Sequence, residues 1–127
     1  MERIIRSRLR EREKVIEQAT RWARRLETRA TVILVGSYAR GDFNAWSDVD
    51  IIIVSPMFRG KNPLQRLLEI DSPPGYEVIP WTPEELDKMI AKRNPLALEL
   101  LQHGIILRDD LGLREKIEQY RRSLPTA

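Results

Sequence analysis

Ile5, Leu9, Ile16, Ala19, Ala23 and Leu26 recur at helical spacing and form one apolar stripe. The stripe predicts a single long helix over residues 2–28. Glu2 with Arg6 and Glu17 with Arg21 support it as i,i+4 pairs in the favourable order. Trp22 lies beside the stripe and reads as packing rather than recognition. The pattern then changes period. Thr31-Val32-Ile33-Leu34-Val35 is β-rich and continuously apolar, as a buried strand should be. Gly36 ends it, Ser37 to Arg40 predicts a short helical start, and Gly41 to Ser47 predicts a loop. A second apolar strand is expected over Asp48–Val54, opened by carboxylates and stopped by Pro56. Residues 57–75 are the least regular, with a short helix expected from Asn62-Pro63 to Ile70 and a turn at Ser72-Pro73-Pro74-Gly75. Tyr76 to Pro80 predicts a third strand.

Thr82-Pro83-Glu84-Glu85 is a strong helix start: threonine caps, proline suits the first helical position, and Glu85 completes a capping box. Asn94-Pro95 repeats that logic for a helix to about Gln102, which Gly104 ends. Ile105-Ile106-Leu107 predicts a short strand, and Asp109 or Asp110 is expected to cap a last helix to about Arg122. The resulting order is that of an α/β (α+β) chain: a small mixed sheet of three to four strands, helices packed against it, and a long N-terminal helix.

A length of 127 residues fits one domain over 1–127, with a core at 30–90 and C-terminal helices over 83–122. The absence of cysteine excludes disulfides and thiolate metal sites, and a lone histidine excludes a His-rich zinc site. Any metal must be held mainly by oxygen, which points to a hard cation such as Mg2+ or Mn2+. No apolar run approaches a membrane span and no signal peptide opens the chain, so a cytoplasmic protein without membrane association is expected. The net charge of +3 is uneven: residues 1–29 hold 10 Lys/Arg against 5 Asp/Glu, and the remainder 12 against 14. A solvated helix face accounts for this excess better than nucleic-acid binding does.

The candidate chemistry begins with Asp48 and Asp50. Two residues apart on a predicted strand, they leave the same face, and two carboxylates so close repel unless a cation lies between them. Gly36-Ser37 closes a buried strand with a tight turn, which presents free backbone N–H groups and a hydroxyl to a phosphate. Either feature alone is weak. Together they describe a nucleoside triphosphate site. A third carboxylate would complete two-metal in-line chemistry. Glu77 is the leading candidate, since it interrupts the apolar strand Tyr76-Glu77-Val78-Ile79. Glu69 and Asp71 compete but fall in a predicted helix or loop.

Gly36-Ser37-Tyr38-Ala39-Arg40-Gly41 followed by Ser47-Asp48-Val49-Asp50-Ile51-Ile52-Ile53-Val54 resembles the nucleotidyltransferase signature of the DNA polymerase beta superfamily. More closely, it resembles the small prokaryotic minimal nucleotidyltransferases. The resemblance implies a mixed sheet with helices on one side. It also implies transfer of a nucleoside monophosphate, AMP from ATP, to a hydroxyl acceptor with release of pyrophosphate. Carried over by position, Gly36, Ser37, Arg40 and Ser47 would bind nucleotide, while Asp48, Asp50 and Glu77 would hold magnesium or manganese and carry catalysis. Aspartate is commoner than glutamate at the position of Glu77; one more methylene still lets it reach a metal or deprotonate the acceptor. The same resemblance implies a helical HEPN partner protein in a toxin–antitoxin-like pair, and leaves a homo-oligomer open. Two other readings stand beside it: a non-catalytic module that neutralises its partner by complex formation, and a small-molecule nucleotidyltransferase.

Four further residues carry double readings. Arg40 could steady phosphate or form a structural salt bridge. Trp46 and Phe43 could stack a base or anchor their loop, with anchoring favoured. His103 reads as a helix-end interaction rather than a catalytic base.

Overall fold

A computed structural model describes residues 1–124. The chain forms α1 (Glu2–Arg25), β1 (Thr31–Val35), α2 (Gly36–Arg40), β2 (Val49–Val54), α3 (Pro63–Leu68), β3 (Tyr76–Trp81), α4 (Pro83–Ala91), α5 (Pro95–His103), β4 (Ile105–Asp109) and α6 (Arg114–Arg122). A single 3-10 turn at Pro56–Phe58 follows β2. The strands make one mixed sheet in the order β3-β2-β1-β4. β1 runs antiparallel to both β2 and β4, and β2 runs parallel to β3. Among the described residues no helix is long and apolar enough to cross a membrane.

The continuous apolar character of β1 and β2 has a structural cause: both strands are covered on both faces. On one face Val32, Leu34, Ile51 and Ile53 pack with Ala19, Trp22 and Ala23 of α1. On the other, Ile33, Val35, Ile52 and Val54 pack with Leu86 of α4, Ala97, Leu100 and Leu101 of α5, and Ile117 of α6. Helices therefore flank the sheet on two sides, which corrects the one-sided arrangement that the signature resemblance implies. A sheet with alternate residues apolar on both faces cannot leave one of them in water.

Local signals place most elements. Asn62 and Thr82 each make full capping boxes, with Gln65 and Glu85 returning the hydrogen bond. Trp22 packs edge-on against Tyr76 at 5.2 Å and its indole N–H donates to the Asp71 carbonyl, so it is a packing residue. The last helix departs from expectation. It starts at Arg114, after the Gly112 turn, and neither Asp109 nor Asp110 is its N-cap residue. Asp109 instead reaches forward from the end of β4, accepting from the Leu113 and Arg114 N–H groups at 2.8 and 3.1 Å and from the Thr31 hydroxyl at 2.8 Å.

Candidate active site

Three strand ends meet at one edge of the sheet: the C-terminal end of β1 and the N-terminal ends of the parallel pair β2 and β3. Register puts Val35 opposite Asp50, and Asp50 directly beside Glu77. Alternation then fixes the face. Ile52 and Val54 follow Asp50 at even steps, and Ile79 and Trp81 follow Glu77, and all four belong to the core beneath α4–α6. Asp50 and Glu77 thus occupy the first positions of a face that is otherwise apolar. Asp48 is exposed and lies one residue before the ladder begins at Val49. The second strand accordingly starts one residue later than the sequence pattern suggests, and Asp48 enters the site from the loop.

Gly36 is required here for two reasons. Its φ is +77°, in the left-handed region that side-chain-bearing residues avoid. A Cβ built on it would come within 2.2 Å of Asp50 Oδ2. The missing side chain is therefore the space that the Asp50 carboxylate fills. Ser37 follows at the first turn of α2 and is half-buried, with Tyr38 and Ala39 buried behind it.

The electrostatics of the cluster follow from this packing. Burial raises the Asp50 carboxyl to about 6, with Glu77, Asp48 and Glu99 adding negative potential. The group therefore holds its proton above the usual carboxylate range, because burial and then the neighbouring carboxylates disfavour its charged form. A divalent cation would offset this negative potential, and hard oxygen donors suit magnesium or manganese. The carboxylates are neighbours without forming a closed cage: among the described residues no three His, Asp or Glu side chains are grouped tightly enough to hold an ion.

The remaining sequence candidates separate. Arg40 makes ion pairs to Asp42, at 3.2 Å, and to Glu99 of α5. Of its two readings, the structure displays the salt bridge. Ser47 accepts from the Asn44 N–H at 2.8 Å and closes the turn before Asp48. Phe43 is buried and stacks on Tyr38 at 4.6 Å, so it anchors the loop. Trp46 does not; it is 89% exposed. Glu69 pairs with Lys61. His103 is the exposed last residue of α5.

Sequence reasoning missed three contributors, Glu99, Arg12 and Arg8. Glu99 lies on α5, sequence-distant from the signature, and reaches the site through Arg40. Arg12 of α1 donates to the Tyr38 and Ala39 carbonyls, both at 2.7 Å, and so closes the C-terminal end of α2. Arg8 does likewise for the loop, donating to the Phe43 carbonyl at 2.7 Å and lying over the Phe43 ring. The only sequence signal for either was the excess of arginine in α1. Shallow clefts flank the carboxylates, one of about 360 Å³ containing Glu77, Leu67 and Tyr76, and one of about 340 Å³ containing Arg40 and Glu99. A larger cleft, about 700 Å³, lies between Trp22, Phe58 and Asp71 and includes none of the site carboxylates.

Comparison with known proteins accords with this geometry. A crystal structure described as a candidate nucleotidyltransferase from Sulfolobus solfataricus is similar over 79% of this chain and 85% of its own, with a TM-score of 0.60 and 18% identity. A toxin–antitoxin crystal structure with AMP-PNP is similar over 84% of this chain and 81% of its own, with a TM-score of 0.52 and 17% identity. At such identities the likeness is one of fold. No curated protein matches the chain significantly in sequence. The family model for the nucleotidyltransferase domain, however, matches residues 15–124, from the middle of α1 to the end of α6. With the glycine turn and the carboxylate pair inside that span, the chain belongs to the nucleotidyltransferase domain family.

Proposed function

We propose that the chain transfers AMP from ATP to a hydroxyl group on a partner protein, using Mg2+ or Mn2+ held by Asp48, Asp50 and Glu77. The observation that carries this reading is the register that sets Asp50 beside Glu77 and over Gly36. A phosphate turn and a carboxylate set then share one sheet edge. Gly36 and Ser37 would bind the triphosphate through backbone N–H groups and the serine hydroxyl. The bound cation would neutralise phosphate charge and polarise the α-phosphorus. Glu77 would accept the acceptor's proton as its oxygen bonds to that phosphorus, while the α–β phosphoanhydride bond breaks and pyrophosphate leaves. Ser47 would hold Asp48 through the loop turn. Arg40 would contribute by exchanging its present carboxylate partners for phosphate oxygens.

The toxin–antitoxin protein of similar fold, crystallised with AMP-PNP, supports ATP as donor and a protein as partner. The signature's resemblance to minimal nucleotidyltransferases supports a HEPN-type helical partner. The test uses α-labelled ATP, magnesium and the product of the neighbouring gene. Covalent label is expected on that product, and its persistence with an Asp48→Asn/Asp50→Asn double variant would sink the assignment.

A second reading, in which the domain neutralises its partner by complex formation alone, is favoured by Glu77 standing where aspartate is commoner. Neutralisation that survives the double substitution supports that reading. Loss of neutralisation with the complex intact counts against it.

A further inference from the structure

The stripe that packs α1 against the sheet continues beyond the body of the protein. Ala19, Trp22 and Ala23 are buried. Toward the N-terminus, the same side of the helix carries Met1, Ile4, Ile5 and Leu9, and these are 97%, 66%, 52% and 53% exposed. Residues 1–11 are all exposed, an overhang of roughly 15 Å at the helical rise per residue. An amphipathic helix keeps its apolar face only where something covers it. Here the described fold leaves more than half of each of Met1, Ile4, Ile5 and Leu9 uncovered.

The overhang is also basic. Residues 1–14 contain Arg3, Arg6, Arg8, Arg10, Arg12 and Lys14 against Glu2, Glu11 and Glu13, a net of +3. Beneath it runs a groove of about 350 Å³, lined by Ile5, Leu9, Arg8, Arg12, Gly41 and Phe43. The groove floor is the loop that leads into Asp48, so the overhang and the carboxylate site are joined by one short segment. A concave groove with arginines along its wall suits inserted side chains better than a lipid surface. Glu11 and Glu13, interleaved with the arginines, disfavour a polyanion such as RNA.

We infer that the first three turns of α1, with the groove under them, dock a protein partner presenting an apolar helical stripe edged by carboxylates. Apolar contacts would centre on Ile5 and Leu9, and Arg8 and Arg12, which line the same groove, would face the partner's acids. This deepens the reading of a protein acceptor, and it rests on that reading only for what docking accomplishes. A partner seated there lies against the loop 41–47 and against Arg8 and Arg12, which hold the carbonyls of that loop and of α2.

The test titrates the intact chain with a synthetic amphipathic helical peptide that has leucines on one face and glutamates on the other. A lysine version, vesicles of phosphatidylcholine with phosphatidylserine, and a short single-stranded RNA run in parallel. The glutamate peptide should bind, weaken with salt, and lose about tenfold in affinity with Ile5→Glu/Leu9→Glu. Both positions are more than half exposed, so the variant retains the fold. Mg-ATP affinity of the same variant should equal that of the parent. Failure of the glutamate peptide to bind, equal binding by the variant, or equal binding of the lysine peptide overturns the proposal. So does vesicle binding, RNA binding or self-association that depends on Ile5 and Leu9. If neither protein binds Mg-ATP, the nucleotide reading fails while the peptide result stands on its own.

Discussion

At the scale of single residues, Gly36 shows how far a motif and its physical reason can be separated. The Gly-Ser turn is visible in the sequence as a phosphate-binding candidate. Its second task, leaving room for Asp50, depends on antiparallel pairing between β1 and β2, and no local pattern encodes that contact. Gly36→Ala should therefore act twice. The strained φ should cost about 1–3 kcal/mol of stability, measured by denaturant unfolding. The displaced Asp50 carboxylate should weaken Mg-ATP binding at least as strongly as loss of Ser37 does. Wild-type Mg-ATP affinity in Gly36→Ala would show that the contact with Asp50 is incidental.

Asp109 is a second residue whose role is partly legible. Its position before the last helix predicts a cap, and the helix begins five residues later. It still acts as one, because its two oxygens reach the Leu113 and Arg114 N–H groups. Burial works against ionisation, but these bonds and the Thr31 hydroxyl outweigh it and hold the carboxyl below the usual value. The sign follows: a depressed folded pKa stabilises at pH above the unfolded value, about 4. That contribution is lost as the pH falls through the lower folded value. Asp109→Ala should cost about 2 kcal/mol at neutral pH. The gap between variant and parent should narrow in acid. A gap independent of pH would mean that the loss is one of packing.

Among the elements, the strands were the easiest to find. Their apolar runs have no helical period, and buried strands need no other signal. The Asn62-Pro63 pair and the capping box at Thr82 placed the starts of α3 and α4 because such signals depend on a few adjacent residues. Register and packing faces were not legible, since they depend on pairings far apart in the chain. The support of α2 belongs to this second kind. Five residues make a marginal helix, and α2 is held at its far end by Arg12, which stands 26 residues from Tyr38. Arg12→Ala should leave the sheet intact but lower stability by about 1–2 kcal/mol and weaken Mg-ATP binding several-fold. Arg12→Lys, which cannot donate to both carbonyls in the same planar way, should recover only part of either effect. Full nucleotide affinity in Arg12→Ala would mean that α2 orders itself without α1.

For the whole molecule, the uneven charge in the sequence now has two explanations rather than one. Arg8 and Arg12 turn inward to satisfy carbonyls, while Arg3, Arg6, Arg10 and Lys14 are exposed on the helix surface, and Ile4, Ile5 and Leu9 are exposed as well. Helices on both faces bury the sheet and leave one edge free, where the strand ends carry Asp50, Glu77 and the Gly36 turn. The composition had already restricted any metal to oxygen ligands, and that edge is where the oxygen donors collect. The central claim is that this edge is a cation-dependent nucleotide site. Calorimetric titration of the isolated chain with ATP, with and without magnesium, tests it without any acceptor. ATP should bind only with magnesium, and Asp48→Asn/Asp50→Asn should abolish binding while leaving the unfolding transition intact. Equal ATP affinity without magnesium, or in the double variant, would contradict it.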